Sequence, residues 1–190
     1  VKDFIKKQLL ESAEIKRLLA DSFLDIIAKI AAACTESIKN ENKIMFCGNG
    51  GSAADSQHLA TELVVRLTAR KDRQALPALA LTTDTSILTA CANDYGFENI
   101  FARQIEALGK PGDVLVALST SGNSENVIKA VRIAKTKKIH TIGFLGGDGG
   151  KLASLVDISI IIPSADVRRI QESHITVGHI IIDLIEQEVC

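Results

Sequence analysis

The sequence predicts a three-layer α/β/α fold around a five-stranded parallel sheet, with a helical extension over residues 1–40 at its N-terminal end. Three observations carry this expectation. Five short apolar runs each end in small polar residues: KIMFC before GNGGS, ALPALAL before TTDTS, DVLVAL before STSGNS, HTIGFL before GGDGG, and DISIIIP before SADVRR. Helical stretches alternate with these runs, which is the pattern of parallel pairing. The stretches Val114 to Leu118 and Ile158 to Ile162 are almost wholly apolar, as strands covered on both faces are.

Taken in order, Lys2 to Asn40 places Phe4, Ile5, Leu9 and Leu10, then Phe23, Ile26, Ile27 and Ile30, at helical spacing between charged residues. Two helices fit, breaking near Asp21 and Ser22, and their apolar residues on more than one face predict packing against other chains as well as against the sheet. The five strands follow. Later helices span Val127 to Lys137 and Arg168 to about Glu188. No repeat of solenoid length and no Pro- or Gly-rich linker divides the 190 residues, so one domain over 1–190 is expected.

Composition excludes several classes. Twenty-two Lys and Arg balance 23 Asp and Glu, and aromatics are 4% of the chain, so neither a phosphate-neutralising surface nor a base-stacking platform for nucleic acid is present. Uninterrupted apolar stretches such as Ile180 to Ile182 fall far short of the roughly 20 residues that span a bilayer. The charged start, KDFIKKQLLESAEIKRLL, does not read as a secretory leader. A cytoplasmic protein without nucleic-acid or membrane partners is expected. Cys34, Cys47, Cys91 and Cys190 lack metal-ligand spacing and suit reduced, space-filling thiols.

In an open parallel sheet, ligands bind beyond the carboxyl ends of the strands, where loops enter helices. GNGGSAADSQH, residues 48–58, offers glycines for close backbone approach, free amides, and Ser52 as a helix cap. An anionic or hydroxyl-rich ligand fits there, as does a plain tight turn. The pattern is neither a Walker loop nor a dinucleotide fingerprint. STSGNS, residues 119–124, sets Ser119, Thr120, Ser121 and Ser124 before a helix, a combination that suits a phosphate monoester without metal or Arg.

His58 and Glu62 are four apart on the helix leaving the glycine loop, so both reach one point in space. They make either a surface pair or part of a site. On the last helix, Gln171, His174 and His179 stand among apolar residues; a hydrogen-bonded core residue is the simple reading of His174.

Together GNGGSAADSQHLATEL, ANDYGF, STSGNSENV, GGDGG and RIQESH resemble the sugar isomerase (SIS) domain family across essentially the whole chain, and within it the sedoheptulose 7-phosphate (phosphoheptose) isomerases. The resemblance implies the SIS fold and an aldose-ketose isomerase acting by enediolate proton transfer. Its product would be D-glycero-D-manno-heptose 7-phosphate, at the first step toward ADP- or GDP-heptose for lipopolysaccharide or related glycans. It implies a homotetramer with sites at subunit interfaces, no nucleotide, and one zinc ion per site in some members. Carried over by position, substrate contacts fall on Asn49, Gly50, Gly51, Ser52, Glu62, Asn93, Asp94, Ser119, Thr120, Ser121, Ser124 and Gln171. Metal ligands fall on His58, Glu62, Gln171 and His179, and the acid-base pair on Glu62 and His179.

Two tensions come with this assignment. A Glu62 that binds zinc through both oxygens is a poorer base. Gln171 and His179 are eight residues apart, about 12 Å along a helix, so either long side chains span one site or neighbouring subunits share ligands. A competing reading is the non-catalytic branch of the same family that binds the DnaA replication initiator, in which both proton-transfer residues are expected to be missing. Other SIS enzymes acting on a different phosphosugar are usually longer or carry a second SIS domain.

Overall fold

The computed structural model describes residues 1–68 and 72–189. Strands β1 (Ile44–Cys47), β2 (Ala78–Ala80), β3 (Val114–Ser119), β4 (His140–Gly146) and β5 (Ile158–Ile162) form one parallel sheet in the order β2-β1-β3-β4-β5. Among the described residues the helices are α1 (Lys2–Ser22), α2 (Leu24–Lys39), α3 (Gly51–Val64), α4 (Thr85–Tyr95), α5 (Ala102–Leu108), α6 (Glu125–Thr136) and α7 (Val167–Val189), with short 3-10 turns at Phe97–Asn99 and Gly150–Ser154.

Strand alternation divides the interior in two. Ile44 and Phe46 of β1, with Val114, Val116 and Leu118 of β3, face a core completed by α2, α3 and α7. Met45, Cys47, Leu115 and Ala117 point the other way, toward α5 and α6. The near-continuous apolar strands are thus explained by helices on both faces, and the α/β/α layering is as the sequence predicts.

The break in the N-terminal extension falls at Phe23, one residue past the expected pair, and Phe23 is itself packed against the core. Leu19 is the buried residue of α1, while Phe4, Ile5, Leu9, Leu10 and Leu24 remain exposed. Cys34, Cys47 and Cys91 are buried free thiols, and burial pushes Cys34 and Cys47 up to about 12, which leaves them unreactive. Cys190 lies outside the described residues. Among the described residues, no helix is long and apolar enough to cross a membrane.

The chain leaves β1 for α3 on one face and β3 for α6 on the other. That divergence opens the crevice in which sheets of this kind bind ligands. Both sequence motifs sit at its mouth.

Candidate active site

The glycine loop, residues 48–50, turns β1 into α3. Gly50 is the N-cap, and Ser52 makes no side-chain cap bond. The expected Ser52 cap is therefore corrected: Ser52 lies one residue inside the helix, 3% exposed, its carbonyl accepting from the Ser56 hydroxyl at 2.8 Å. Asn49 turns inward. Its amide exchanges two hydrogen bonds with Asn126 of α6, Nδ2 to Oδ1 at 2.9 Å and the reverse at 2.8 Å, and Asn126 Oδ1 also accepts from the Val127 amide at 2.9 Å. This amide pair joins the two loops across the crevice.

In the serine loop, Ser119 ends β3 and its hydroxyl lies 3.1 Å from that of Ser124, the N-cap of α6. Ser124 makes no cap hydrogen bond, so its hydroxyl is not committed to the helix. Ser121 is exposed and accepts from the Asn123 amide at 3.2 Å; Thr120 is half-buried between them. The loop is braced from behind by the β4–β5 connection. Gly122 has φ +64°, and a methyl group there would lie 1.9 Å from the Gly149 carbonyl oxygen. Leu152 N–H donates to Gly122 O at 3.0 Å and Lys151 N–H to Asn123 Oδ1 at 3.1 Å.

Helices α3 and α7 run side by side in the same direction. The Gln171 amide packs against Gly51, where a methyl group would lie 2.5 Å from Nε2; further along, Leu59 faces Gly178, and His58 faces His179. His58 Nε2 is 2.8 Å from His179 Nε2 and 3.2 Å from Glu62 Oε1, with the imidazole centroids 5.0 Å apart. Ligand atoms of His58, Glu62 and His179 all lie within 4.8 Å of one another. One N–H cannot satisfy two acceptors well, so three donor atoms converge on one point at a half-open surface.

Two imidazoles and a carboxylate form a donor set that suits zinc. Tetrahedral zinc with bonds near 2.0–2.1 Å sets its donors roughly 3.3 Å apart, close to the 2.8 and 3.2 Å that separate His58 from His179 and Glu62.

A family model described as SIS domain matches residues 11–146. A phosphoheptose isomerase of Aquifex aeolicus is 50% identical over 186 residues, 98% of this chain and 96% of that protein. The chain belongs to the phosphoheptose isomerase family of SIS domain proteins.

A phosphoheptose isomerase of Clostridium acetobutylicum is likewise 50% identical over 190 residues, covering 99% of this chain and 96% of its own length. The solved phosphoheptose isomerase of Neisseria gonorrhoeae superposes with a TM-score of 0.92 at 41% identity, over 98% of both chains. That of Francisella tularensis gives 0.93 at 37% identity over 97% of both. These matches favour the isomerase branch over the initiator-binding one.

Within this phosphoheptose isomerase fold, Asn93 and Asp94 stand apart from the cluster described above. They are exposed near the end of α4, Asn93 Nδ2 donating to Asp94 Oδ1 at 2.8 Å, and among the described residues no hydrogen bond ties them to either loop.

Sequence reasoning missed four residues near the site. Asn126 was hidden because its partner lies 77 residues away. Asp55, one turn before His58, has an Oδ2 with no hydrogen-bond partner, and burial pushes its carboxyl up while His58 pulls it down. Arg73 and Glu186 form a buried pair at the far end of α3. Only Asp55 left a trace in sequence, by its helical spacing to His58.

Proposed function

We propose that the chain isomerises sedoheptulose 7-phosphate to D-glycero-D-manno-heptose 7-phosphate, the first step of a heptose precursor route to lipopolysaccharide or related glycans. The observation that carries this reading is the convergence of Glu62 with His58 and His179 from two separate helices, one of which, α3, starts from the glycine loop that the Asn49–Asn126 pair ties to the serine loop's helix.

The phosphate would lie against Ser119, Thr120, Ser121 and Ser124 at the N-terminus of α6, where hydroxyls and the helix dipole favour an anion. Asn49, Gly50, Gly51, Ser52 and Gln171 would line the chain of the sugar, with Asn93 and Asp94 contributing at a subunit boundary. Held at its far end, the substrate spends phosphate binding energy on orienting the reacting carbons. Glu62 takes the proton from the carbon beside the carbonyl and returns it to the neighbouring one, while His179 moves protons at the oxygens and opens the ring.

His58, Glu62 and His179 would hold zinc, while Gln171, whose amide lies against Gly51 two turns of α3 before His58, would join them only from a neighbouring copy. Bound there, zinc supplies Lewis acidity toward the carbonyl and hydroxyl oxygens. Glu62 reaches the cluster through Oε1, at 3.2 Å from His58, which leaves its second oxygen for the base role.

The chain works as a cytoplasmic homotetramer, one SIS domain per subunit, with exposed Phe4, Ile5, Leu9 and Leu10 of α1 in the contacts between copies. No nucleotide, nucleic acid or membrane takes part. The deciding experiment incubates purified protein with sedoheptulose 7-phosphate, with and without chelator, and follows aldose formation. Turnover supports the reading, its loss on chelation supports the zinc assignment, and absence of turnover under both conditions refutes the function.

A further inference from the structure

The last carbonyls of an α-helix have no partner within it, and those of α3 are met by a residue from the following connection. Arg73 Nη2 donates to Glu62 O at 2.7 Å and Nη1 to Leu63 O at 2.9 Å. Nη1 also donates to Gln74 O at 2.9 Å. The same guanidinium sends Nε to Glu186 Oε1 of α7 at 2.7 Å, with Nη2 equally close. Glu186 Oε1 further accepts from the Leu67 amide at 3.1 Å.

Both side chains are nearly sealed, Arg73 at 2% and Glu186 at 6% exposure. A buried ion pair loses so much hydration that apolar residues often stabilise a fold as well or better. Stability alone is therefore a weak reason for this pair, and its geometry supplies another. It ties the backbone of Glu62 to α7 at a point seven residues, or two turns, beyond His179.

We propose that Arg73 is a positioning residue for the isomerisation, acting with Glu186. The fork fixes the height and rotation of the last turn of α3 against α7, so that the Glu62 carboxylate meets His58 and His179. The inference rests on the assignment of Glu62 as the base. A simple helix cap would contribute to stability and leave turnover per folded molecule unchanged. A positioning residue acts on turnover, because a displacement near 1 Å at the reacting groups costs about 100-fold. It leaves substrate affinity largely alone, since the serine loop lies between β3 and α6, away from the clamp.

The test compares wild type with Arg73→Lys, which keeps a cation beside Glu186 but replaces the flat fork by one nitrogen that cannot serve four acceptors at once. Both are assayed on sedoheptulose 7-phosphate well below their melting temperatures, with rates normalised to folded protein. The expected result is a kcat about tenfold lower with KM within about twofold of wild type. A kcat equal to that of an active wild type, or a KM that rises in step with the loss, overturns the proposal. Should R73K not fold, Glu186→Gln is read by the same criteria. A wild type without turnover instead removes the function assignment, and this proposal with it.

Discussion

Gly178 of α7 meets Leu59 of α3 so closely that a methyl group at position 178 would lie 2.5 Å from Leu59 Cδ2. Leu59 is 1% exposed and hemmed in by the core, so it cannot retreat into solvent. The adjacent residues, His58 and His179, are the ones whose imidazoles meet. A glycine inside α7 thus sets the distance between the two halves of the cluster.

Gly178→Ala should reverse the usual sign of a helical Gly-to-Ala change. Helix propensity favours alanine by about 1 kcal/mol, whereas overpacking costs about 1–3 kcal/mol. The variant is expected to be less stable in urea and to lose most of its turnover as α7 is pushed from α3. A more stable, fully active variant would show that the contact does not hold the helices at their working distance.

Glu62→Gln keeps the shape of the side chain and removes the base. Turnover of sedoheptulose 7-phosphate should fall by about 10²–10⁴-fold, with the circular dichroism spectrum unchanged. Wild-type activity would remove Glu62 from the mechanism.

The double change Ser121→Ala and Ser124→Ala separates binding from folding. Because Ser124 makes no cap hydrogen bond, stability should move by less than about 0.5 kcal/mol, rather than the 0.5–2 kcal/mol of a lost cap. KM for the phosphosugar should rise about tenfold or more, and more than kcat falls, since hydrogen bonds to a charged group are the stronger kind. An unchanged KM would place the phosphate elsewhere.

His174 makes the fold sensitive to acid. It is fully buried, donates through Nε2 to Leu145 O at 3.0 Å, and has an Nδ1 without a partner. Burial holds it down from 6.5 to about 4. The unfolded chain takes up this proton below pH 6.5 and the folded one only near 4, so the contribution is complete above 6.5 and lost as pH falls between the two. Between pH 7.5 and 5 this group should remove about 2 kcal/mol. Urea titrations of wild type and His174→Gln at both pH values measure it: the variant, weaker overall, should lack this component of the pH dependence.

Exposed Phe4, Ile5, Leu9 and Leu10 predict association through α1. Light scattering should report a tetramer; a stable monomer at micromolar concentration would contradict the assembly.

Periodicity made the five strands, the two N-terminal helices and α7 legible, because a strand covered on both faces and an amphipathic helix leave local patterns. STSGNS and the His58–Glu62 spacing were legible for the same reason: each is complete within a few residues. What stayed hidden was set by distance along the chain. Asn49 with Asn126, Arg73 with Glu186 and Leu59 with Gly178 are pairs between elements, and neither partner carries a mark of the other. The misplaced Ser52 cap has a different origin: Gly50, at φ +54°, takes the cap position through a conformation that no residue preference for hydroxyls reveals.

The brace behind the serine loop bears on portability. Gly122, Asn123, Gly149, Lys151 and Leu152 lock two connections back to back through main-chain atoms and the Asn123 side chain, so the shape that receives an anion is owned jointly by the ends of β3 and β4. The hexapeptide STSGNS transplanted onto another scaffold, or synthesised alone, would carry the hydroxyls without their arrangement. Anyone wishing to move this binding function must move both turns.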